Sequence, residues 1–86
     1  MRKKLVGQTI SEVMGDARKA AEGDGFDRPG IQVTRTELEL DDEGYAAVVE
    51  LLTGTVERAM EIQAQSVARG KDAEHSTVLG LMHFYR

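Results

Sequence analysis

The chain has 86 residues with 15 acidic against 11 basic side chains, a net charge of −4. Gripping a phosphate backbone takes clustered Lys and Arg, so direct nucleic acid contact by this chain is not expected. The absence of cysteine excludes disulfide staples, thiolate metal sites and cysteine nucleophiles together, and suits a reducing cytoplasm.

A chain this short makes one domain with a thin core, burying only roughly 60% of the surface its unfolded state exposes. No apolar run approaches the roughly 20 residues needed to span a bilayer, and the basic start Arg2, Lys3, Lys4 lacks the apolar stretch of a secretory signal. The expectation is a cytoplasmic protein with no membrane contact. Residues 1–8 read as a basic N-terminal segment and 9–86 as a single α+β domain.

Thr9-Ile10-Ser11-Glu12 fits the capping box, in which Thr and Glu side chains satisfy first-turn amides reciprocally, so a helix is predicted to start there. Ile10, Val13, Met14, Ala17 and Ala21 follow at the spacing of an amphipathic helix. Gly7, beside the cap, leaves open whether Leu5 and Val6 extend it backwards. Residues 22–30 then hold three of the nine glycines and the only proline, the composition of a loop that needs positive φ.

Residues 33–40 are rich in β-branched side chains, with Thr34, Thr36, Leu38 and Leu40 on one side and Val33, Arg35, Glu37 and Glu39 on the other. The pattern predicts a strand with one wet face. Asp41, Asp42 and Glu43 next supply a cap and negative charge for a helix start, and Arg69, Gly70 and Lys71 supply its exit. The predicted helix runs near 42–69. A polar stripe of Glu50, Gly54, Glu57, Arg58, Glu61 and Gln65 lies opposite Tyr45, Val48, Val49, Leu52, Val56, Ala59, Met60 and Val67.

Such a helix is roughly 42 Å long, whereas an eight-residue strand covers roughly 26 Å, so part of it must find another surface. Residues 77–85 are predicted as a last strand. Val78, Gly80, Met82 and Phe84 share one face, and Leu79, Leu81, His83 and Tyr85 the other. A strand apolar on both sides needs cover on both sides. The predicted architecture is helix, strand, long helix, strand: a small sheet layered on helices and completed by dimerisation. Val56, Ala59, Met60, Leu79 and Leu81 are the expected interface.

Candidate chemistry is sparse. His75 and His83 lie roughly 26 Å apart in extended chain, too far to share a metal, and no nucleophile, base and orienter occur together. Gly23-Asp24-Gly25 follows a helix and precedes a strand, the reverse of a dinucleotide fingerprint. Asp24 and Asp27 read as turn formers, and Asp41 to Glu43 as a helix cap. No enzyme activity, cofactor or metal is expected. Tyr45, Met60, Met82 and Phe84 could instead line an apolar ligand pocket between the long helix and the sheet.

From Phe26 onward the chain resembles the C-terminal part of bacterial ArsR-like winged-helix transcription regulators. The resemblance rests on Phe26-Asp27-Arg28-Pro29, Thr34-Arg35-Thr36, Leu38-Glu39-Leu40-Asp41-Asp42-Glu43-Gly44-Tyr45, Glu61-Ile62-Gln63-Ala64, Thr77-Val78 and Met82-His83-Phe84. It implies a dimerising or effector-sensing module of a transcription regulator, without the DNA-reading winged helix. The partners it implies are a second copy and a full-length winged-helix regulator. A stand-alone small-ligand-binding domain is the alternative.

Overall fold

A computed structural model describes residues 2–86 and shows two helices, α1 (Arg2–Glu22) and α2 (Asp42–Ala68), with no strand among the described residues. The α+β expectation is therefore overturned: the chain is all-α, and no small sheet packs on its helices. The segments expected as strands, 33–40 and 77–85, have no regular secondary structure. β-branched, alternating sequence makes a segment suited to a pleated surface, but a strand exists only once its amides and carbonyls find a ladder. Neither segment has such a ladder here.

Helix α1 begins seven residues before its expected start. The Thr9 hydroxyl does not cap; it donates to the Leu5 carbonyl at 3.1 Å, the back-bond of a threonine inside a helix. Leu5 and Val6 continue the apolar spacing of Ile10 and Val13, and one interior glycine, Gly7, costs only about 1 kcal/mol against alanine. Propagation through Gly7 wins over the local capping signal. The exit is a tight turn in which Gly23 and Gly25 donate backbone N–H to the carbonyls of Lys19 and Ala20 at 3.2 and 3.1 Å. A Cβ on Gly25 would sit 2.6 Å from Ala20 Cβ, so this turn needs glycine for space.

Helix α2 follows its predicted bounds within a residue. Asp41 caps it, its carboxylate accepting from the Gly44 N–H at 2.8 Å, and Asp42 and Glu43 occupy the first turn, where the helix dipole favours anions. At the far end Arg69 donates backbone N–H to Gln65 and Ser66, and Gly70 takes a left-handed φ of 70°, as a C′ glycine does.

The described residues divide into two compact units, one running to Arg35 and including Val78–Phe84, the other comprising Thr36–Thr77 and Tyr85–Arg86. In the first, the C-terminal segment comes so near α1 that a Cβ on Gly80 would lie 2.9 Å from a Val13 methyl. In the second, Leu40 packs beside Gly44 at the start of α2, and an ion pair joins Arg86 to Glu37.

No described residue in either unit is buried. The chain exposes 8485 Å², against about 5,000 Å² for a compact protein of 9.5 kDa by the usual area scaling. The closest approach to a core is a set of half-buried positions: Val13, Ala17 and Ala20 on α1, and Val48, Leu52 and Ala59 on α2.

Candidate interaction surfaces

On α2, spacing alone places Val49, Val56, Met60 and Val67 on one stripe beside the half-buried line of Val48, Leu52 and Ala59. These four are 41%, 46%, 60% and 73% exposed. The polar stripe on the opposite side carries its own ion pair, Arg58 to Glu61 at 3.1 Å. The helix therefore has a solvated side, a half-buried side, and an apolar flank that faces water.

A second surface is a groove of about 460 Å³ between the first half of α1 and the C-terminal segment, with Leu5, Val6 and Ile10 on one wall and Leu81, Met82 and Phe84 on the other. All six of these side chains remain exposed. His83 also lines this groove.

The structure sorts the expected site residues accordingly. Val56 and Met60 stand exposed on α2 with Ala59 half-buried between them, while Leu79 and Leu81 lie in the exposed C-terminal segment. The sheet expected to form one wall of the ligand pocket is absent among the described residues. Met82 and Phe84 line the α1 groove, and Tyr45 and Met60 lie about 22 Å apart along α2 at helical rise.

Tyr45 has another role that sequence reasoning missed. Its ring stacks on Tyr85 with centroids 5.6 Å apart and planes 24° apart. The hydrogen bond to Tyr45 is the main cause of a Tyr85 pKa above the ordinary 10.0, with the Tyr45 charge and slight desolvation adding in the same direction. Forty residues separate the two rings, and no local pattern announces the pairing.

Chemically these surfaces offer apolar contact and little else. Among the described residues no three His, Cys, Asp or Glu side chains come together, and no helix is long and apolar enough to cross a membrane. No family model matches the chain, and no curated protein or solved structure is significantly similar to it. The resemblance to ArsR-like regulators thus rests on its sequence phrases, and the comparisons lend transcription regulation no support.

Proposed function

We propose that this chain is a non-enzymatic self-association module, the dimerising part of a regulatory assembly rather than a part that reads DNA. The observation that carries this reading is the absence of any buried residue among those described. Burial of apolar surface is the dominant favourable term in folding, worth about 25 cal/mol per Å², and ordering 86 residues costs on the order of 1–2 kcal/mol each for the backbone alone. Half-buried side chains on two helices do not offset that cost, and with no cysteine in the sequence and no metal-ligating cluster among the described residues neither of those staples helps. A second copy is the partner always available to such a chain.

The test is solution mass across a range of protein concentrations near neutral pH. A species of twice 9.5 kDa that dissociates on dilution is the expected result; a well-folded monomer at every concentration overturns the reading. Val56→Asp and Leu81→Asp should each shift the protein toward monomer, because each places a charge within a surface proposed to become apolar and dry.

The α1 groove favours a second reading, a site for a small apolar ligand. Its volume is within the range of ligand pockets, about 300–1,000 Å³. Thermal shift against a panel of apolar ligands tests it, since a ligand bound only by the folded state raises stability by mass action. A midpoint unmoved by every ligand counts against it.

A further inference from the structure

We infer that the α1 groove binds a single-chain amphiphile with an anionic head, a medium-chain carboxylate, whose chain lies along Leu5, Val6 and Ile10 and whose head sits at Arg2 and Lys3. This rests on the ligand-site reading of the groove and adds the chemical class of the ligand.

The close approach of Gly80 to Val13 bounds one end of the groove. From there residues 81–84 accompany α1 back toward its first turn, across from Leu5, Val6, Thr9 and Ile10. Helical spacing sets Arg2 in line with Leu5 and Val6, and Lys3 in line with Val6 and Ile10. Both cations therefore stand at the other end of the groove, with Arg2 about 12 Å from Ile10 along the axis.

Charge distinguishes this site from the rest of the chain. The chain carries −4, yet the stretches 2–11 and 78–84 that supply both walls contain three cations and no carboxylate. Glu12 is the first acid along α1, and it accepts a hydrogen bond from Gln8 at 3.4 Å on a flank outside the groove lining.

The cations are also badly placed for the helix itself. The start of a helix is the positive end of its dipole and holds amides without internal acceptors. Helix α2 meets this with Asp41, Asp42 and Glu43. The first turn of α1 has no acid and carries Arg2, Lys3 and Lys4, none of which has an ion pair among the described residues. A bound anion supplies the missing negative charge, and a neutral apolar ligand does not. A net charge of −4 opposes an anionic membrane surface, and a concave site of about 460 Å³ suits a single small molecule.

The test is calorimetric titration of the full chain near neutral pH with decanoate, decanol and decyltrimethylammonium, each below its aggregation concentration. Decanoate should bind at least several-fold more tightly than decanol, decyltrimethylammonium least, and the advantage of decanoate should shrink as salt is added. Arg2→Glu combined with Lys3→Glu should cut decanoate affinity several-fold while raising the thermal midpoint of the unliganded chain, because acids suit that end of the helix. A variant that merely failed to fold would lower that midpoint. Phe84→Ala should weaken decanoate and decanol alike, since it removes wall common to both. Equal affinity for decanoate and decanol, or undiminished decanoate binding by the double variant, overturns the anionic class while leaving the groove reading intact. No binding of any of the three, or binding untouched by Phe84→Ala, overturns both. Binding to phosphatidylglycerol vesicles without binding to monomeric decanoate makes the surface a membrane contact and overturns the single-ligand assignment.

Discussion

Asp41 shows how one side chain can determine where an element starts. Its carboxylate accepts the Gly44 N–H at 2.8 Å in front of two further acids, so Asp41→Ala removes both the cap and one anion from the positive end of α2. A loss of about 1 kcal/mol in stability is expected, measured as a lower thermal midpoint with partial loss of helical circular dichroism. Thr9 is the counter-example. Its capping signature is as good on paper, yet the helix runs through it, because capping competes with propagation and loses where apolar spacing continues upstream.

The Tyr45–Tyr85 pair gives a pH-dependent prediction at the same scale. The hydrogen bond to Tyr45 holds the Tyr85 pKa above 10.0, so the folded state keeps a proton that the unfolded state gives up more readily. The stabilisation is fully present below the unfolded pKa, near 10, and is lost as pH rises through the folded value. Spectrophotometric titration of tyrosinate should show one phenol ionising late, and Tyr45→Phe should return it toward the ordinary range. An unshifted titration curve in the parent chain would contradict the pairing.

At the scale of elements, two glycines in different settings should respond oppositely to alanine. Gly54 lies inside α2 with open space where a Cβ would go, so Gly54→Ala should stabilise the helix by about 0.5–1 kcal/mol and raise helical ellipticity. At Gly80 the new methyl would meet Val13 at 2.9 Å. Gly80→Ala should therefore loosen the C-terminal segment from α1, with several-fold faster chymotryptic cleavage at Phe84 and Tyr85. Equal behaviour of the two variants would argue against the close approach at Val13.

The element scale also separates what was legible from what was not. Helix α2 was readable to within a residue because its signals are local: a cap, first-turn acids, a long periodic stripe and an exit glycine all lie within its 27 residues or no more than two positions outside them. The segments 33–40 and 77–85 carry equally clear alternation, but a strand is a statement about a neighbour. Their apolar alternation records which side chains want cover, and with no ladder formed they remain irregular.

For the whole molecule, the decisive quantity is exposed area. A chain with no buried residue among those described should have little stability at high dilution, and its folding should be tied to association. The thermal midpoint is therefore expected to rise with protein concentration, as linkage requires when the folded form is the associated form. A midpoint independent of concentration over a hundredfold range would indicate a monomer whose stability has another source.

Composition and periodicity by themselves determined helix α2 with its cap and exit, the part of α1 that follows Thr9, and the glycine-rich turn after α1, because each depends on residues within a few turns of one another. Only the tertiary structure decided that the β-like segments form no sheet, that Tyr85 stacks on Tyr45, and that Met82 and Phe84 line a groove with Leu5, Val6 and Ile10 of α1. Those outcomes depend on contacts between residues tens of positions apart, whose balance of burial against chain entropy no local pattern encodes.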